Sequence, residues 1–152
     1  MYAIIVLERK GKTMTRYPLN TNAIALCPSN YNIGQRAEFV MRYTATGKTE
    51  RADNRKATES ADLFDIQIKT AKATVCKGTD IAKYIDESKA ERYAYARVDC
   101  STAYIMTKAE FVEFLAKFGT TDRASAKNGG GEVTRVKNES LKMLEWLESH
   151  AR

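Results

Sequence analysis

Ten consecutive residues, Ala61-Asp62-Leu63-Phe64-Asp65-Ile66-Gln67-Ile68-Lys69-Thr70, carry the chemistry that stands out in this chain. A strand places residues i and i+2 on one face. Leu63, Asp65, Gln67 and Lys69 then share one face, and Asp62, Phe64, Ile66 and Ile68 share the other, greasier one. The first face sets a carboxylate, an amide oxygen and an ammonium side by side. Oxygen ligands hold a hard divalent cation, and a neighbouring lysine orients an attacking water and offsets charge developing on a phosphate. The surface alternative is an ion pair between Lys69 and Asp65, with the lysine stem lying along the sheet.

The remaining composition narrows the chemistry. The lone histidine is His150, so histidine-based acid–base catalysis and a histidine-rich zinc site are disfavoured. The three cysteines, Cys27, Cys76 and Cys100, match no zinc spacing and suggest reduced thiols in a cytoplasmic protein. The apolar run from Tyr2 to Leu7 is too short for a signal-peptide core or a membrane span. The net charge of +6 over 152 residues favours an anionic partner, of which nucleic acid is the commonest.

A single domain of mixed α/β class is expected to position these groups. Residues 2–8 and 12–18 suggest a hairpin around Lys10-Gly11-Lys12. Ala37, Val40, Met41 and Thr44 fall at helical spacing, predicting a helix over Gly34–Thr44 that Gly47 stops. Residues 48–60 suggest a polar loop or strand edge. Ala61 to Cys76 is the strongest strand region, closed by Gly78. Thr79 is expected to cap a short helix with Ile81, Tyr84 and Ile85 inward. Tyr93, Tyr95 and Arg97 alternate with Ala94, Ala96 and Val98, which is strand periodicity, and Ala103 to Met106 supplies a second strand. Thr107-Lys108-Ala109-Glu110 is a capping box opening a helix with Phe111, Phe114, Leu115 and Phe118 on its core face. Residues 120–137, with Gly129-Gly130-Gly131, suggest a flexible turn or loop. A last helix over Glu139–Ser149 puts Leu141, Leu144 and Leu147 on one face, as core or as a dimer seam.

In this context Gln67-Ile68-Lys69 resembles the glutamine variant of the (D/E)-x-K tripeptide of the PD-(D/E)XK, or restriction-endonuclease-like, nuclease superfamily. The preceding helix with Glu38, the following strand, then a helix and a strand pair, follow that family's αβββαβ order over about residues 33–118. The N-terminal hairpin and the C-terminal helix would be additions to this core. The resemblance implies a Mg²⁺-dependent endonuclease, with Mn²⁺ as a substitute. Lys69 would be the catalytic lysine, Gln67 a metal-side ligand and Glu38 the helix acid. Asp62 would be the first-strand acid, with Asp53 and Asp65 as alternatives. No Pro-Asp dipeptide is present, and an amide oxygen binds metal more weakly than a carboxylate. The implied partner is double-stranded DNA, cut by a homodimer or higher homo-oligomer. Arg51, Arg55, Lys56, Lys72 and Lys77 would form a phosphate-contacting rim, or simply a solvated charged face. A DNA-binding or assembly protein that keeps the nuclease fold without cutting is the competing expectation.

Overall fold

The computed structural model describes residues 14–49, 66–70, 76–77, 80–88, 90–123 and 131–152. In chain order the elements are β1 (Thr15–Pro18), α1 (Ala23–Leu26), α2 (Ile33–Thr46), β2 (Ile66–Thr70), β3 (Cys76–Lys77) and α3 (Ile81–Asp86). There follow β4 (Arg92–Ala96), β5 (Thr102–Thr107), α4 (Lys108–Phe118), β6 (Thr120–Arg123), β7 (Glu132–Arg135) and α5 (Leu141–His150). They form a mixed α/β structure. One sheet has four strands in the order β1-β5-β4-β2, and a smaller one has three in the order β3-β7-β6.

The four-stranded sheet is built on the β4–β5 hairpin. Its antiparallel register pairs Tyr95 with Tyr104 and Ala96 with Ala103. The period-2 alternation sends tyrosines to one face and alanines to the other. β1 adds antiparallel to β5, and β2 adds parallel to β4 through a crossover that contains α3. α1 and α2 cover the alanine face, where Phe39, Val40 and Met41 pack with Ala94, Ala96, Ala103, Ile66 and Ile68. α3, α4 and α5 cover the tyrosine face, where Ile85, Phe111, Phe114, Leu115, Met143 and Leu147 surround Tyr93, Tyr95 and Tyr104. On β2 the buried Thr70 hydroxyl donates to the carbonyl of Ala96 at 2.8 Å, fastening this strand to β4. The chain end covers β1: the Arg16 amide donates to the Arg152 carbonyl at 2.9 Å, and the Arg152 amide to the Met14 carbonyl at 3.0 Å.

Helix ends follow the sequence closely. Thr107 and Glu110 form the expected reciprocal capping box on α4. Asn32 and Gln35 form another on α2, which ends at Gly47 with φ 71°, a left-handed conformation that suits glycine. α4 stops at Gly119, where a Cβ would lie 2.6 Å from the Leu115 carbonyl oxygen.

Four expectations about caps, strands and the last helix require correction. The cap of α3 is Asp80, whose side chain accepts from the Lys83 amide at 3.1 Å; a carboxylate competes well for an N-cap position. The described parts of the Ala61–Cys76 region serve two sheets: residues 66–70 join the large one, whereas Cys76 and Lys77 pair with Thr134 and Val133 in the small one. Residues 120–137 contain β6 and β7, an antiparallel hairpin whose Val133 and Thr134 are buried. Polar strand residues on its outer side hid this hairpin from a reading by periodicity. On α5, Met143 and Leu147 are buried and Leu144 packs against them, while Leu141 is 73% exposed. The stripe is therefore core at two of its three leucines. The expected strand over residues 2–8 lies outside the described residues.

Candidate active-site cavity

Lys69 sits on β2, paired in register with Tyr95, and Gln67 is paired with Tyr93. Ile66, Ile68 and Thr70 belong to the alanine face of the sheet. Lys69 lies on the opposite face, half-buried, in the wall of a cavity of about 320 Å³. Tyr84, Glu87, Ser88 and Tyr93 line the rest of it. The floor is Tyr93, which is 1% exposed and stacks on Phe111 with ring centroids 4.6 Å apart and planes at 13°. The other wall is α3 and the residues just beyond it.

Local structure fixes that wall. α3 is only six residues long, and residues three and four apart share a helix face. Ile85 is fully buried and anchors the helix to the core. Tyr84, Glu87 and Ser88 then fall together toward β2. At the helix end the Lys108 ammonium donates to the carbonyls of Asp86 at 3.2 Å and Ser88 at 2.8 Å. A cation there satisfies carbonyls left over at a C-terminus and opposes the helix dipole. The Ser88 hydroxyl accepts from the Ala90 amide at 3.1 Å, leaving its own proton as a donor. The cavity thus combines a cation, a carboxylate, a hydroxyl and a phenol ring over an aromatic floor.

The residues expected to act together are distributed unevenly. Glu38 lies on α2, in the layer covering the alanine face, whereas Lys69 lines the cavity on the tyrosine face. The Glu38 carboxylate accepts from Arg42 Nε at 3.2 Å and Nη2 at 3.0 Å. Its side chain is 27% exposed and that of Arg42 13%, so this pair is a half-buried brace along the helix. Asp53, Asp62, Asp65, Arg51, Arg55, Lys56 and Lys72 lie outside the described residues. Lys77 belongs to β3 of the small sheet, not to the sheet carrying Lys69. Among the described residues, no group of three or more His, Cys, Asp or Glu side chains is placed to hold a metal ion.

Glu87, with Ser88 and Tyr84, escaped the sequence reading. Tyr84 was expected to point inward; it is 36% exposed and lines the cavity instead. The signal was the Tyr84-x-x-Glu87-Ser88 spacing beside a single deeply buried position, Ile85. Tyr93 and Tyr95, weighed as base-stacking residues, are both 1% exposed and serve the core. Neither Cys27 nor Cys100 is an activated nucleophile. Burial pushes the pKa of both Cys27 and Cys100 up, and a nucleophilic thiol needs the reverse.

Comparison of the chain with protein families, curated proteins and solved structures returned no match. Among the described residues, no helix is long and apolar enough to cross a membrane.

Proposed function

We propose that the protein is a metal-dependent endonuclease acting on DNA phosphodiesters, with a restriction-endonuclease-like core. One observation carries the reading: Lys69 of the Gln67-Ile68-Lys69 tripeptide lines a cavity and shares it with a carboxylate, Glu87. The element order α2, β2, α3, β4, β5, α4 across residues 33–118 is compatible with such a core. The net charge of +6 favours a polyanionic substrate.

In this reading Lys69 contacts the scissile phosphate, orients the attacking water and offsets the charge that grows on the non-bridging oxygens. The rigid β2–β4 pairing holds its backbone while the bond breaks. Ser88 supplies a neutral donor to the same phosphate. A Mg²⁺ ion, or Mn²⁺, would neutralise charge at the phosphate when bound. Gln67 and an aspartate from Asp53, Asp62 or Asp65 are its proposed ligands. The described residues alone do not complete such a shell, so no step is routed through the ion. Glu38, held by Arg42, is a poorer ligand than its position in the sequence suggested. The protein is proposed to be cytoplasmic and to cut duplexes as a homo-oligomer.

The test is nicking of supercoiled plasmid in Mg²⁺ and in Mn²⁺. Lys69→Ala should lower the rate by roughly a hundredfold or more. No cleavage by the native protein, or undiminished cleavage by Lys69→Ala, would reject the enzyme. The tie between Glu38 and Arg42 favours a second reading, a protein that binds DNA through the same fold without cutting. Salt-sensitive binding of duplex DNA with no cleavage in either metal would select it.

A further inference from the structure

The Lys69 cavity has the size of a single small ligand. At about 320 Å³ it sits at the lower end of small-ligand pockets, roughly 300–1,000 Å³. That scale suits a single nucleotide taken out of its stack. The lining residues offer a group for each part of such a ligand. Lys69 is a phosphate partner on the β2 wall. Tyr84, on the rim and 36% exposed, offers a ring face to solvent, whereas the ring of Tyr93 is occupied by Phe111. Glu87, exposed at the helix end, is acceptor-only when ionised, so it selects ligand donors and repels ligand acceptors. Ser88 adds a hydroxyl donor.

We infer that this cavity binds one unpaired nucleotide whose base bears an exocyclic amine, with Tyr84 stacking on the base, Glu87 accepting from the amine and Lys69 holding the phosphate. The inference rests on the nuclease reading for the part played by Lys69. It goes further by making the substrate a DNA with an unpaired or extruded nucleotide, and by giving Glu87 a role in base choice. Thymine is disfavoured because it presents a carbonyl oxygen where cytosine presents an amine, and two acceptors facing each other repel.

Calorimetric titration of the protein with dCMP, dTMP and deoxycytidine in EDTA tests this without metal or cleavage. dCMP should bind about tenfold more tightly than dTMP. Deoxycytidine, lacking the phosphate, should bind more weakly than dCMP, and Lys69→Ala should remove that difference. Glu87→Gln should bring dCMP and dTMP together, because an amide both donates and accepts. Tyr84→Ala should weaken every ligand about tenfold, and Tyr84→Phe should restore binding. Absence of mononucleotide binding, or binding unchanged in both Glu87→Gln and Tyr84→Ala, overturns the inference. The plasmid assay reports separately on the nuclease: cleavage lost in Lys69→Ala with no mononucleotide binding sinks the pocket alone. Mononucleotide binding with the expected preference and no cleavage sinks the nuclease alone.

Discussion

Toward α1 and α2 the central hairpin presents Ala94, Ala96 and Ala103; toward α3, α4 and α5 it presents Tyr93, Tyr95, Tyr104 and Met106. The same backbone therefore packs two helical layers by opposite means. On the alanine face the strands add aliphatic side chains, Ile105 from the hairpin and Ile66 and Ile68 from β2, and α2 packs Phe39, Val40 and Met41 against them. On the tyrosine face the strands supply the volume, and each phenol ends in a hydroxyl that burial obliges to find a partner. For two of them a carboxylate provides it: Tyr95 donates to Glu139 at 2.8 Å, and Tyr104 donates to Glu148. Where this aromatic layer reaches β2, it gives way to the Lys69 cavity. The two faces teach that polar chemistry collects where strand side chains, rather than helices, fill the space. A layer of rigid rings with polar tips cannot close smoothly at its border.

The largest expected effect breaks the tyrosine face at its centre. Phe114 is fully buried and touches the rings of Tyr95, Phe111, Phe118 and Trp146. Phe114→Ala should cost about 3–5 kcal/mol, since rigid neighbouring rings collapse poorly into the void. On the other face the matching error is too much volume. Ala96→Leu should cost about 1–3 kcal/mol by pushing α2 away from the sheet. Denaturant unfolding of both variants checks the order. A larger loss for Ala96→Leu would mean that the alanine face is the less forgiving one.

A smaller effect separates the hydroxyls from the rings that carry them. Glu139 accepts both the Tyr95 hydroxyl at 2.8 Å and the Val98 amide at 3.0 Å. Glu139→Ala orphans these donors and should cost about 1–3 kcal/mol. Adding Tyr95→Phe to that variant removes one orphan and should recover part of the loss. A double-mutant cycle reads the coupling directly. Additive losses would show that Glu139 holds the tyrosine face by packing alone.

How much of this was legible depended on whether the information was local. The capping box at Thr107 and Glu110, the Gly47 stop and the Tyr/Ala alternation of 93–96 are set by neighbours in sequence, and each appears as expected. The β6–β7 hairpin was hidden because its burial comes from contacts distant in sequence; Val136 beside it joins a core built from α4 and α5. The sites divide the same way. The alternation of 66–70 put Lys69 opposite Ile66 and Ile68, which is where the structure has it. Glu38 was chosen by its place in a family pattern, although Arg42, four residues on along the same predicted helix, is spaced to engage it. Glu87 owes its place beside Lys69 to the parallel crossover from β2 to β4, which carries α3 over the tyrosine face.

The finest test of the two-face comparison uses pH. Burial, reinforced by the hydrogen bond to Glu148, pushes the Tyr104 phenol from its ordinary 10 up to about 12. A raised pKa favours the folded state while the phenol is protonated. The contribution is complete below pH 10, where both states hold the proton, and it falls as pH rises from 10 to 12, because the unfolded chain releases a proton the folded one keeps. The same contact acts at the acid end with the opposite sign. The hydrogen bond from Arg16, and then that from Tyr104, hold the Glu148 carboxyl below its ordinary 4.5. Its contribution is present above 4.5 and is lost as pH falls through the lowered folded value. Tyr104→Phe should therefore flatten the alkaline fall in unfolding midpoint between pH 10 and 12 and soften the acid one. Lysines also titrate at high pH, so the informative quantity is the difference between native protein and variant at each pH. Absorbance titration adds a direct check: the native protein should show one tyrosine ionising near 12 that the variant lacks. Identical alkaline curves for the two proteins would place the Tyr104 hydroxyl in solvent, and the contact of Tyr95 with Glu139 would then carry the polar tips of the tyrosine face without it.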